Sequence, residues 1–246
     1  MTARLTADAV GWELFARFAF PPNELGYCGP PDASVLLSGR SRADVAGHAQ
    51  GFDGAWAYLE EIAAAAGIDD PLDTEVVRSY WVGGPLLDAV NCGTLTARLR
   101  TLFFANQPTG ILDSVGSHGL AHHSFFHVLV VYPWIRFLSG DPTTPLRILQ
   151  ACRIRWGGTV DWVDDEHLGL LSQPLQFDGY RLFLGAEVLE TARWRRDGIT
   201  LAPRPESGDR IAAHWDWTCG RLSEQEVTAL AAATASTLEL VNSVRR

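Results

Sequence analysis

The segment from His118 to Leu138 holds four of the chain's seven histidines directly before a long apolar run. Imidazole nitrogens ligate zinc, iron and nickel in their neutral form. In a helix, His118 and His122 would share one face, as would His123 and His127, because residues four apart lie one turn over the other. The alternative is that the first three are solvated loop or cap residues, and that only His127 is buried and satisfied by one hydrogen bond. The spacing lacks the HExxH signature of zinc proteases.

Cys28 lies between Tyr27 and Gly29 in a loop dense in proline and glycine, PPNELGYCGPPD. These residue types hold the backbone in defined turns, so the loop would present the thiol rigidly. A cysteine nucleophile needs a nearby imidazole to form its thiolate, and the candidates for this base are His127 and His214. The alternative is that Cys28 is a small buried hydrophobe in a tight loop.

His214 and Asp216 are two residues apart in the string AHWDWTC. In a β-strand they would point to one face and the neighbouring tryptophans to the other. A histidine and a carboxylate on one face could act as a base and the group that orients it. The alternative is a structural hydrogen-bonded pair at the rim of a sheet.

The cysteines are widely spaced and include no CxxC pair; they are Cys28, Cys92, Cys152 and Cys219. In a reducing compartment they are expected to be thiols, so any metal site would have to be assembled by the fold. Cys28, Cys152 and His127 could converge as soft ligands for nickel, iron or zinc, or for an iron–sulfur centre.

Composition excludes several kinds of chemistry. All 20 basic residues are arginine, so Schiff bases, a phosphate-loop lysine and a serine–lysine dyad are ruled out. The formal net charge of −9 argues against nucleic-acid binding, which requires a basic surface. Neither a GxSxG elbow nor a dinucleotide fingerprint is present.

Apolar spacing predicts helices over most of the chain to about residue 150. A first helix, over 6–20 with Thr6 as its cap, is expected to stop at Pro21 and Pro22. Further helices are predicted over 41–66 with a break near Gly51, and over 73–81, 94–105 and 145–152.

From Arg153 onward, alternating β-rich runs separated by turn residues predict three to five antiparallel strands. A last helix over 223–241 begins with Ser223 and Glu226 in the positions of a capping box, and its apolar residues are expected to pack on the sheet. We therefore expect an α+β fold, a helical N-terminal portion followed by a small antiparallel sheet and a C-terminal helix, over residues 1–246 as a single domain.

The N-terminus lacks the basic start and apolar core of a secretory signal, which predicts a cytoplasmic protein. The apolar run over 127–138 is too short to cross a bilayer and is interrupted by Pro133 and Arg136. A buried element is therefore expected there, with no membrane span.

The chain resembles an uncharacterised actinobacterial family associated with gene clusters for nickel–iron hydrogenases. The resemblance extends from about Phe15 to Asn242 and is carried by the strings FARFAFPPNELGYCGPPD, SYWVGGPLLDAV, HSFFHVLVVYPWIRFL, CRIRWG and HWDWTCGRL. It implies an accessory or maturation protein that handles a metal, or docks a hydrogenase subunit or maturation factor. The candidate residues inside the matching strings are Cys28, His127, Cys152, His214 and Asp216.

Two other classes of function remain open from the residues. One is an enzyme that uses Cys28 as nucleophile and a histidine as base on a small molecule in a tryptophan-lined pocket. The other is a structural partner whose exposed tryptophans bind another subunit.

Overall fold

The computed structural model describes residues 9–37, 41–104, 111–115 and 124–244. Helices fill the described chain up to Cys152, strands follow as far as Arg221, and one long helix ends it. This arrangement confirms the predicted α+β class.

The α-helices agree closely with the predicted segments in their positions. They are α1 (Gly11–Glu24), α2 (Arg42–Ala49), α3 (Asp53–Ala66), α4 (Thr74–Val82), α5 (Cys92–Phe104), α6 (Ile111–Val115), α7 (Ser124–Phe126), α8 (Thr143–Cys152) and α9 (Glu224–Val244). A π-helical turn, His127–Val131, continues α7. The expected break near Gly51 separates α2 from α3, and the capping box of Ser223 and Glu226 is present.

Helix α1 differs from the prediction because it continues through Pro21 and Pro22 to Glu24. Neither proline has an N–H, so Pro22 leaves the carbonyl oxygen of Phe18 without its helical donor. That oxygen instead lies 2.7 Å from Nδ1 of His214, which donates to it from the β-region. The prediction of a stop at the prolines was wrong because a distant side chain replaces the missing hydrogen bond. The proposed Thr6 cap lies outside the described residues.

The strands are β1 (Arg155–Trp162), β2 (His167–Ser172), β3 (Leu175–Phe177), β4 (Leu182–Leu184), β5 (Val188–Arg193), β6 (Arg195–Arg196), β7 (Ile199–Thr200), β8 (Arg210–His214) and β9 (Trp217–Arg221). Five of them form a closed barrel in the order β1-β2-β5-β9-β8, with β8 pairing back onto β1. The neighbours are antiparallel except β5 and β9, which are parallel and paired only at Arg193 and Trp217. The expected small sheet is therefore curled into a barrel, and β3–β4 and β6–β7 form separate hairpins.

One cluster of buried apolar side chains runs through both halves of the chain, from Leu14 in α1 to Trp217 in β9 and Val241 in α9. Helix α9 contacts α4, α6, α7 and the hairpin strand β4. It therefore packs mainly on the helical half, and its contact with the predicted sheet region is made through the β3–β4 hairpin. By length and composition, α9 is the one described helix that could cross a membrane.

Candidate functional site

A pocket of about 270 Å³ opens between the helical half and one end of the barrel. Its walls come from the loop after α1, from α3, α4 and the end of α8, from the segment 124–134, and from the end of β8. The lining residues are Pro22, Gly26, Tyr27, Cys28, Phe52, Gly54, Ala55, Tyr80, Trp81, Ser124, His127, Val128, Tyr132, Trp134, Cys152 and His214. Four of the five predicted site residues thus meet here, and none of the described lining side chains is an Asp, Glu or Arg.

The side chain of Asn23 helps to hold the loop that carries Cys28. The amide nitrogen of Asn23 donates to the carbonyl oxygens of Cys28 (2.8 Å) and Pro30 (2.7 Å). Its amide oxygen lies 3.1 Å from Nε2 of His48. Gly29 has φ +82°, and a Cβ there would lie 2.4 Å from the ring of Phe52, so only glycine fits. The expected rigid turn is therefore present, and it places the thiol in the pocket wall.

The hydroxyl group of Tyr132 lies beside the Cys28 thiol, and a hydrogen bond from it to the thiolate form would lower the pKa of Cys28. Burial raises the pKa of Cys28 to about 12, and the hydrogen bond from Tyr132 offsets only part of this effect. No hydrogen bond joins Cys28 to His127 or His214 among the described residues; Nδ1 of His127 faces the Tyr58 hydroxyl group and Nδ1 of His214 faces the Phe18 carbonyl oxygen. Cys28 is therefore a neutral thiol at physiological pH.

His127 is 3% exposed and opens the π-helical turn. Its Nδ1 lies 3.1 Å from the hydroxyl oxygen of Tyr58, and its Nε2 has no hydrogen-bond partner. Burial lowers its pKa to about 3, so the ring is neutral. The interpretation of His127 as a buried histidine with one hydrogen bond is confirmed. His118, His122 and His123 lie outside the described residues.

His214 ends β8 and is also buried, at 3% exposure. Its Nδ1 faces the Phe18 oxygen at 2.7 Å, and its Nε2 lies 3.1 Å from the Cys152 carbonyl oxygen. Burial lowers the pKa of His214 to about 4. A neutral ring has one N–H, which the shorter contact assigns to Nδ1. His214 therefore joins α1, the end of α8 and the barrel at the pocket floor.

The predicted pair of His214 and Asp216 is wrong. The strand ends at His214, and Trp215 and Asp216 form a two-residue turn before β9, with Trp215 at φ +52°. The alternation of a strand does not extend through this turn. The side chain of Asp216 is 54% exposed and pairs with Arg193 at 3.3 Å. It has no part in the pocket.

Cys152 ends α8 and is buried in the pocket wall. Burial raises the pKa of its thiol to about 12, and the nearby Cys28 raises it further. Cys28, His127 and Cys152 thus line one pocket, but among the described residues no three His, Cys, Asp or Glu side chains are close enough to hold a metal ion. The predicted metal site is not preformed in this part of the chain.

The sequence did not predict that the hydroxyl groups of two tyrosines, Tyr132 and Tyr58, lie beside the site residues. Tyr132 follows His127 by five positions, and the π-helical turn brings the two rings to 4.8 Å between centroids because its hydrogen bonds join residues five apart. A helical pattern of three and four residues does not reveal this spacing. Tyr58 comes from α3, far away in the sequence, and no local signal pairs it with His127.

These features define an α+β protein with a thiol-bearing pocket between its two halves, and the lining residues that the structure describes carry no Asp, Glu or Arg side chain. The chain belongs to the DUF6390 family, a family of unknown function, whose model matches residues 7–246. No curated protein and no solved structure matches the chain.

Proposed function

We propose that the protein binds a small, uncharged, mainly apolar molecule in this pocket. The observation that carries the proposal is the composition of the wall, which in the described part of the chain is aromatic and aliphatic apart from neutral thiols, imidazoles and hydroxyl groups. A charged ligand would lose its hydration without gaining a counter-charge, and this loss is costly. The volume of about 270 Å³ suits a molecule at the small end of the range that protein pockets hold.

Binding is better supported than covalent catalysis by Cys28. A nucleophilic cysteine is usually a thiolate stabilised by a cation or an imidazole, whereas Cys28 has a raised pKa and a tyrosine partner. The cysteine-enzyme hypothesis would therefore require a ligand whose binding lowers the pKa of Cys28 and so favours the thiolate.

Tryptophan fluorescence offers a direct test, because Trp81 and Trp134 line the pocket. A panel of small uncharged aromatic and aliphatic compounds would be titrated against the protein. Ala55 is buried in α3 and lines the pocket, so Ala55→Phe should fill it and abolish binding. Ala64 is exposed on the same helix, so Ala64→Phe should leave binding unchanged. Equal binding by wild type and Ala55→Phe would place any ligand elsewhere and contradict the proposal.

A second proposal is an accessory or maturation role for a nickel–iron hydrogenase, in which the pocket holds a soft metal in transit. Its support is the meeting of two thiols and an imidazole whose Nε2 lacks a partner, together with the resemblance in the strings that contain them. Because the three side chains are not gathered for coordination, this role requires the pocket wall to rearrange on metal binding.

The metal content of protein purified without oxygen and without a histidine tag tests the second proposal. Near-stoichiometric nickel, iron or zinc in the wild type, and its loss in Cys28→Ser, is the expected result. A Cys92→Ser variant is the control, because Cys92 begins α5 and does not line the pocket. Metal-free wild-type protein, with no uptake of added nickel, iron or zinc, would contradict this role.

A further inference from the structure

Three residues that line the pocket carry a buried side-chain polar atom without a hydrogen-bond partner. These atoms are the indole Nε1 of Trp81, Oγ of Ser124 and Nε2 of His127. Buried polar groups in folded proteins are nearly always paired, and an unpaired group costs free energy. A ligand bound in this apolar pocket would supply the missing partners.

The tautomer of His127 follows from its neighbour. The hydroxyl group of Tyr58 has His127 Nδ1 as its hydrogen-bond partner. If the Tyr58 hydroxyl group donates its hydrogen to Nδ1, then Nδ1 is the acceptor, and the neutral ring carries its hydrogen on Nε2. If the ring donated instead, the buried tyrosine hydrogen would have no acceptor among the described residues. The first arrangement satisfies more groups, so Nε2 is an N–H donor.

Gly54 lies directly beside this donor. A Cβ at Gly54 would lie 2.8 Å from His127 Nε2, and both residues line the pocket. Gly54 is also fixed in place, since its carbonyl oxygen accepts a hydrogen bond of 2.8 Å from the hydroxyl group of Tyr80. Gly54 lies in the first turn of α3, where an alanine would be the better helix former.

We infer that the pocket recognises a neutral carbonyl compound, such as a ketone, ester or amide, whose oxygen accepts a hydrogen bond from His127 Nε2. This inference rests on the proposed binding of a small uncharged molecule. The donor requires an acceptor, and the described lining residues include no arginine that would pair with a carboxylate, which favours a neutral acceptor. An aromatic or aliphatic group on the carbonyl would occupy the apolar remainder of the pocket.

The test compares two probes of the same shape, acetophenone and α-methylstyrene, which has a CH₂ group in place of the carbonyl oxygen. Wild-type protein should bind the ketone about tenfold more tightly, since the hydrocarbon leaves a buried donor unpaired. His127→Phe keeps a ring but removes the donor, so it should bind both probes equally.

Gly54→Ala provides a second variant that retains His127. Its added methyl group occupies the space at Nε2, so the preference for the ketone should be lost. Gly47→Ala is the matched control, because Gly47 also lies in a helix and a Cβ there meets nothing within 4 Å. This variant should keep the tenfold preference.

The two proposals fail in different ways in this experiment. Equal binding of both probes by wild-type protein, or a preference that survives in His127→Phe, would overturn the carbonyl inference and leave the binding function intact. Binding of neither probe would overturn the inference and count against the binding function as well.

Discussion

Nδ1 of His214 lies 2.7 Å from the carbonyl oxygen of Phe18, the oxygen that Pro22 leaves without a donor inside α1. The imidazole of His214 thus supplies the hydrogen bond that the proline removes from α1, and it joins the barrel to this helix. The same helix end leads directly into the loop that carries Cys28. The pocket is therefore built on a contact between two residues 196 positions apart.

Replacing His214 should destabilise the fold. His214→Phe keeps a ring but leaves the buried Phe18 oxygen unpaired, and we expect a loss of about 2 kcal/mol in the free energy of unfolding. Urea denaturation measures this loss. His167→Phe is the comparison, because His167 is partly exposed and pairs with Asp164 in a turn, where a loss below about 1 kcal/mol is expected. Equal losses in the two variants would contradict the role of His214.

Stability should fall in mild acid because of the two buried histidines. In the unfolded chain a histidine binds its proton near pH 6.5, whereas burial lowers the pKa of His214 to about 4 and that of His127 to about 3. Between these values the unfolded state binds more protons, so falling pH favours it. Each ring contributes at most about 1.4 kcal/mol per pH unit.

Urea midpoints from pH 7.5 to pH 4.5 would show this loss. Stability should be nearly constant above pH 7 and decline below about pH 6.5. The decline should be shallower in His214→Phe than in the wild type. An unchanged slope in that variant would mean that other groups cause the acid sensitivity.

Cys28 should react slowly with alkylating reagents. With a pKa of about 12, its thiolate fraction at pH 8 is at least about a hundredfold below that of a free thiol. Mass spectrometry of labelled peptides can compare it with Cys92, which is also partly exposed. Tyr132→Phe removes the donor that favours the thiolate, so it should slow labelling further. Rapid labelling of Cys28 below pH 7 would instead support the cysteine-enzyme hypothesis.

Gly29 should tolerate no side chain. In Gly29→Ala, the strain of a positive φ is joined by the clash with Phe52, and we expect a loss of more than about 2 kcal/mol in stability. Gly26→Ala separates the two effects, because Gly26 has φ +72° and a Cβ there meets nothing within 4 Å. Its loss should be about 1 kcal/mol. Thermal denaturation of both variants checks the difference.

The helices could be predicted because their signals are local. The apolar period, the break near Gly51, and the capping box of Ser223 and Glu226 each depend on neighbouring residues. The course of α1 through Pro22 could not be predicted, since it depends on His214. Closure of the barrel likewise depends on pairing between distant strands.

The site was partly predictable because thiols and imidazoles are rare enough to be noticed individually. Cys28, His127, Cys152 and His214 all line the pocket, although no spacing joins them. The predicted pairing of Asp216 with His214 was wrong because it assumed that the side-chain alternation of β8 continues past His214, where the strand ends. Tyr132 was missed because a π-helical turn shifts the period of its contacts from four residues to five.

The barrel closes between β5 and β9 through only one residue pair, Arg193 and Trp217, whereas its other seams are each held by several pairs. The guanidinium group of Arg193 also lies 5.8 Å from the centre of the Trp217 ring. Local opening of a protein begins where the fewest interactions must break. The backbone amides of β5 and β9 along this seam should therefore exchange with deuterium before those of the other barrel strands. When the chain unfolds, β5 and β9 should separate first.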